Sequence, residues 1–159
     1  MATPLHKAAW YGHTNAMKLL IDHGADVNVN DIWNWTPLHR ASWTGSTDAI
    51  QLLIDNGANV NAENKWNGIP LHNAAWYGHT DAIKLLLDHG ADINAKDADG
   101  VTSLHYASDD GHVDAIKLLI DNGANVNAKN KWNGTPLHYA SSIGNVNAVV
   151  LLKENGAIS

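Results

Sequence analysis

The sequence has no cysteine and no phenylalanine, and only four prolines in 159 residues. Without cysteine there is no disulfide, no thiol nucleophile and no thiolate metal site. Such a chain suits a reducing cytoplasm, the expected location, and equally a protein engineered to lack thiols. No apolar leader precedes a cleavage site, and no run nears the roughly 20 apolar residues of a membrane span, so no membrane partner is expected. Basic residues are also few: ten Lys and Arg against sixteen Asp and Glu, for a net charge of -6. They are scattered singly and form no basic face, which argues against nucleic acid as partner.

What is present is a globular composition, 45% hydrophobic, with the apolar bulk carried by Leu, Ile, Ala and seven Trp. It is also periodic. Thr3-Pro4-Leu5-His6 returns as Thr36-Pro37-Leu38-His39, Ile69-Pro70-Leu71-His72, Thr102-Ser103-Leu104-His105 and Thr135-Pro136-Leu137-His138, every start 33 residues after the last. Gly-Ala keeps the same phase at Gly24, Gly57, Gly90, Gly123 and Gly156. A fixed period of this length signals stacked structural units.

Each unit reads as two short helices. Thr then Pro is an N-cap followed by the favoured first helical residue. Leu5, Ala8 and Ala9 give the first helix a buried side, and Gly12 ends it. A second helix carries Ala16, Met17, Leu19, Leu20 and Ile21 and stops at Gly24, where a left-handed residue is wanted. Asp48, Asp81 and Asp114 fall near second-helix starts, where the macrodipole favours a carboxylate. The Asn- and Asp-rich stretches that follow, such as Asn28 to Asn34, read as turns or extended hairpins. Helices this short are marginal alone, so each unit must bury its flank on a neighbour.

The period and the Thr-Pro-Leu-His-x-Ala pattern resemble the ankyrin repeat over nearly the whole chain. The resemblance implies an all-α solenoid of five helix-turn-helix units with β-hairpin or turn fingers, forming one domain over 1–159. The units run over about 1–30, 31–63, 64–96, 97–129 and 130–159. It also implies a binding scaffold whose fingers and first helices line a concave, partner-facing surface. The family's Gly before the Thr survives only as Gly100; Asn34, Asn67 and Asn133 replace it and tolerate the same left-handed turn. Ser103 replaces the usual Pro, a mild loss of preorganisation.

The ends differ from the middle. Lys153 stands where earlier units have Ile21, Ile54, Leu87 and Ile120, as in a capping unit, although Val150 replaces a Lys. The first unit has no finger before it and keeps an internal-type apolar flank, as in a shortened array. The expected state is a monomer or weak self-association through that unit.

Ten histidines invite a metal or catalytic reading, but each recurs at a fixed repeat position. In the resembled family the motif histidine is a structural hydrogen-bonding residue, so no metal, cofactor or catalytic residue is expected. Asp97-Ala98-Asp99-Gly100 superficially matches the start of a calcium loop, yet lacks its further acidic ligands. Asn34-Trp35-Thr36 and Asn133-Gly134-Thr135 match a glycosylation acceptor as by-products of the repeat.

The framework does not explain the tryptophans. Trp10, Trp43 and Trp76 share one phase at the first-helix ends, with Tyr11 and Tyr77 beside them. Trp33, Trp66 and Trp132 share another in the fingers, and Trp35 adjoins the first of these. In the resembled family both phases are variable surface positions on the binding side, and Trp and Tyr are enriched at interface centres. The alternative is that the rings pack on one another as a satellite core. Unit four instead carries Asp99, Asp109 and Asp110, which reads as a solvated acidic patch or as contacts to a basic part of a partner.

The reading is a non-enzymatic module that binds another protein through a Trp-rich concave face. A purely structural scaffold with no partner is the alternative. Invariant spacing suits an engineered, consensus-like chain. Alternation between Ile21-Asp22-His23 and Ile54-Asp55-Asn56 suits natural duplication.

Overall fold

The repeated Thr-Pro sites open helices at the expected places. A computed structural model describes residues 1–158, which form ten helices in five pairs and, among those residues, no strand. The first helices are α1 (Pro4–Trp10), α3 (Pro37–Thr44), α5 (Pro70–Trp76), α7 (Ser103–Asp109) and α9 (Pro136–Ser142). The second helices are α2 (Thr14–Asp22), α4 (Thr47–Asp55), α6 (Thr80–Asp88), α8 (Val113–Asp121) and α10 (Val146–Glu154). First helices stack on first helices and second on second, giving two layers joined by short turns. No described helix is long and apolar enough to cross a membrane.

The core lies between the layers and repeats with the sequence. Leu5, Leu38, Leu71 and Leu104 are buried from the first helices, and Met17, Ile50, Ile83 and Ile116 from the second. Leu53, Leu86, Leu119 and Leu152 complete it. Each such side chain is worth roughly 1.5–3 kcal/mol when withdrawn from water. Ala9, Ala41, Ala74, Ala75 and Ala107 are also buried, and their small side chains let neighbouring first helices approach closely.

The motif histidine ties each unit to itself and to the next. At every start the N-cap backbone N–H donates to the His Nδ1, from Thr3 to His6, Thr36 to His39, Ile69 to His72, Thr102 to His105 and Thr135 to His138. This is the reach-back half of a capping box, made by His instead of Glu or Gln. On the other side of the ring, Nε2–H donates to a carbonyl further on: Trp35 for His6 (2.7 Å), Gly68 for His39 (3.0 Å), Ala95 for His72 (3.1 Å) and Gly134 for His105 (3.0 Å). Both roles require the neutral ring, and burial pushes His39 down to about 4 and lowers His6, His72 and His105. A second set bridges units at the helix ends, with His79 and His112 each reaching the carbonyl of Trp43 or Trp76 at 3.0 Å.

The Asn-rich stretches do more than turn. Asn28 donates to the Gly57 carbonyl at 3.0 Å and accepts from the Asn59 N–H at 2.8 Å. Asn61, Asn94 and Asn127 repeat that clamp onto Gly90, Gly123 and Gly156. The fingers take the turn form of the expectation, with single backbone bonds between neighbours such as Lys65 N–H to the Trp33 carbonyl at 3.0 Å. Asn34, Asn67 and Asn133 sit at φ of 59°, 57° and 61°, close to the 75° of Gly100, so Asn does replace glycine there.

The ends are exposed as their composition implies. Ala16 and Leu19 of α2 are exposed, whereas the counterparts Ala49, Ala82 and Ala115 are buried. At the other end Lys153 faces water, and so do Val146 and Val150.

Candidate functional site

The finger tips are fixed first. Asp31 Oδ1 accepts the N–H groups of Trp33 (2.8 Å) and Trp35 (3.0 Å), an Asx turn that sets the direction of both indoles. Asn64, Asp97 and Asn130 make the same turn in later units, pinning the N–H of Trp66, Asp99 and Trp132. Burial alone would raise the Asp31 pKa. The two N–H groups and Arg40, whose guanidinium lies 2.9 Å from Oδ2, outweigh it and hold the carboxyl below its usual value.

Arg40 in turn lies over Trp35 (4.6 Å from the ring centroid) and Trp10 (5.6 Å). From there the aromatic rings are continuous. Trp43 meets Trp10 at 5.8 Å, Trp35 at 5.2 Å, Trp76 at 6.5 Å and Tyr77 at 5.0 Å between centroids. Trp76 stacks on Tyr106 at 5.0 Å with planes 16° apart, and on Tyr77 at 6.2 Å. All these spacings fall in the range of attractive aromatic pairs. Tyr106 is held from behind by donating its hydroxyl to Asp97 at 2.6 Å. Burial, with Asp97 accepting from the hydroxyl, raises its phenol pKa.

The expected tryptophan ladder is therefore one cluster, but its members differ. Trp10, Trp35 and Trp43 are half-buried, whereas Trp76 and Tyr77 remain 41% and 38% exposed. The finger set stands apart: Trp33, Trp66 and Trp132 are 46%, 53% and 63% exposed, and none reaches a ladder ring. Only Trp132 has a neighbour of note, Lys131, 4.4 Å above its ring. Tyr11 is exposed, and among the described residues its one aromatic pairing is with the His13 ring. Satellite packing thus describes Trp35 and Trp43 and does not describe the finger tips.

In unit four, Asp109 takes the position of Trp76, and Asp110 that of Tyr77. Both are exposed. Burial raises the Asp109 pKa, and the Asp110 charge raises it further; the Tyr77 phenol is raised by the same two causes in the same order, so Asp110 lies close to both. Asp99 is separated from them in role, because it pairs with Lys131. Neither Arg40 nor Tyr106 was among the expected contact residues, although they share one repeat position with Lys7, Asn73 and Tyr139. The usable signal was variability at a fixed phase.

Beside Trp10 the surface forms an open groove of about 500 Å³ lined by Lys7, Tyr11, His6 and Arg40. No group of three or more His, Asp or Glu that could hold a metal ion occurs among the described residues. A model of ankyrin repeats in three copies matches residues 1–64 and 71–159, and one of ankyrin repeats in many copies matches residues 45–87. The chain belongs to the ankyrin-repeat family. Ankyrin repeats are in general protein-interaction modules and typically non-enzymatic. A comparison with curated proteins finds no match. Within an ankyrin repeat the ladder occupies the first-helix ends, beside the fingers, and the second helices carry no aromatic ring at all.

Proposed function

We propose that this ankyrin-repeat chain is a non-catalytic module that binds another protein on its finger-and-first-helix face. The contact centres on Trp43, Trp76 and Tyr77. Trp10 and Trp35 lie behind them, and Trp33, Trp66, Trp132, Tyr11 and Asp99 lie around the rim. The supporting observation is the aromatic cluster that runs through units one to four, to Tyr106, and leaves the rings of Trp76 and Tyr77 exposed. Central aromatic anchors surrounded by weaker contacts are the usual layout of an interface hot spot.

A stabilising role is the second reading, favoured by Trp43, whose ring touches four others. Paired baits separate the two. Proteins captured from a lysate by the wild type and lost by Trp76→Ala, with the melting temperature nearly unchanged, support binding. A capture set indifferent to Trp76→Ala and Trp43→Ala, with both variants destabilised, leaves only the stabilising role.

A further inference from the structure

Each internal unit meets its neighbours through two unlike faces, and units five and one each leave one of these faces open. On the side toward the next unit, His6, His39 and His105 are buried, with Nε2–H donating to the carbonyls of Trp35, Gly68 and Gly134. His138 keeps its Nδ1 bond from the Thr135 N–H, yet it is exposed, and among the described residues its Nε2 has no partner. Ser141 is exposed on the same helix, where Ala9, Ser42, Ala75 and Ser108 are buried. On the opposite side, His79 and His112 reach back to the carbonyls of Trp43 and Trp76. Their counterpart His13 is exposed, with no hydrogen bond from its ring among the described residues, and Ala16 and Leu19 are exposed on the helix it precedes.

The two open faces also match in polarity. Between units one and two, Thr14 and Lys18 line a groove with Asp48 and Leu52; between two and three, Thr47 and Gln51 line one with Asp81 and Leu85. In unit five the positions of Thr14 and Lys18 hold Val146 and Val150, and in unit one those of Asp48 and Leu52 hold Asn15 and Leu19. The cation is lost from one face and the carboxylate from the other, leaving Val146, Val150 and Leu19 exposed.

We infer that unit five of one chain stacks on unit one of a second copy, continuing the contact already made between neighbouring units. In that register His138 donates to the carbonyl of Ala2 of the second copy, which stands at the repeat position of Trp35, Gly68 and Gly134. His13 of the second copy donates to the Ser142 carbonyl, at the position of Trp43 and Trp76. Val146 and Val150 pack against Leu19 of the second copy and withdraw their apolar surface from water. Lys153 lays its stem along the contact and keeps its ammonium in water. A repeat array is closed off by a polar outer face. Val150 is the reverse, because the other units place Lys18, Gln51, Lys84 and Lys117 there. The contact joins two different faces, so it is head-to-tail, and each added copy offers a fresh face to the next. It lies apart from the aromatic ladder and holds or fails independently of the binding reading.

Sedimentation velocity of the full chain, over a series from micromolar to millimolar, should show dimers and then larger species. Leu19→Glu and Val150→Glu each spoil one face at an exposed position. Either variant alone should stay monomeric where the wild type associates, a loss of roughly tenfold or more in the association constant. The two variants mixed in equal amounts should form dimers and nothing larger, because each keeps one intact face. Circular dichroism checks that both keep their helix, and Ala16→Arg with Val146→Arg supplies a second pair should either fail to fold. A wild type that is monomeric throughout the series overturns the inference. So does a single variant that associates like the wild type, which would mean pairing of like faces, or a mixture of folded variants that stays monomeric.

Discussion

In unit two, His39 accepts from the Thr36 N–H and reaches on to the Gly68 carbonyl; in unit four, His105 does the same with Thr102 and Gly134. Leu38 and Leu104 occupy the same buried site, and Asp31 and Asp97 fold the two fingers with the same pair of N–H bonds. The faces built on these frames are unlike. Unit two presents Trp35 and Trp43 with Arg40 among them, while unit four presents Tyr106, Asp109 and Asp110. Positions that satisfy buried donors and acceptors cannot vary without leaving one unpaired, which costs about 1–3 kcal/mol. Positions on the ladder carry no such debt to the backbone. The proposed binding surface therefore lies where the framework is indifferent.

The largest effect should come from the shared frame and should treat the two units alike. Histidines whose folded pKa is depressed stabilise the protein fully above about pH 6.5, their unfolded value, and that stability is lost as pH falls through the folded value. For His39, whose folded pKa is about 4, the loss between those limits amounts to about 3 kcal/mol, and His6, His72 and His105 add losses of the same sign. Urea midpoints measured from pH 7 to pH 4 should fall steeply, with hydrogen exchange quickening in units two and four together. A midpoint that is flat over that interval breaks the account of the frame.

The next effect should separate the units. Trp43→Ala removes a half-buried ring with four aromatic neighbours, for an expected cost of roughly 2–3 kcal/mol, below that of a fully buried Trp. The melting temperature should drop by about 5–10 °C. Asp109→Ala alters an exposed residue of unit four and should stay within about 0.5 kcal/mol of wild type. Equal losses at both positions would erase the distinction between a packed ladder and a solvated patch.

How much of this was readable beforehand follows the same division. The period located every first helix, the N-caps, the motif histidines and the left-handed Asn34, Asn67 and Asn133, because each is a local demand of the backbone written at one spacing. The inter-unit role of Asn28, Asn61, Asn94 and Asn127 was hidden, since a clamp onto the next unit and a simple turn call for the same residue. Arg40 and Tyr106 were hidden for another reason. Their partners Asp31 and Asp97 lie nine residues earlier in a finger, a contact made only once the finger folds onto the helix. Whether a given Trp packs or projects was likewise undetermined: Trp33 and Trp35 are two residues apart, yet one projects and the other lies against Trp43.

A smaller effect sharpens the one flaw in the frame of unit four. Ser103 stands where the other units place proline, and its buried hydroxyl has no hydrogen-bond partner. The preceding Thr102 is extended at φ -102° and ψ 168°, a conformation that a following proline accepts. Ser103→Pro should stabilise the chain by about 0.4–1 kcal/mol, read as a higher urea midpoint at unchanged slope. A destabilised variant would show that unit four needs the hydroxyl.

The central claim is that the proposed contact centres on the ladder, with the isolated finger tips only at its rim. The seven Trp indole N–H resonances of the ¹⁵N-labelled chain report it directly during titration with a peptide selected on the chain. The account predicts the largest displacements at Trp76 and Trp43, smaller ones at Trp10 and Trp35, and the smallest at the rim rings Trp33, Trp66 and Trp132. Displacements concentrated at Trp132, or a peptide that binds while all seven resonances stay in place, would contradict it.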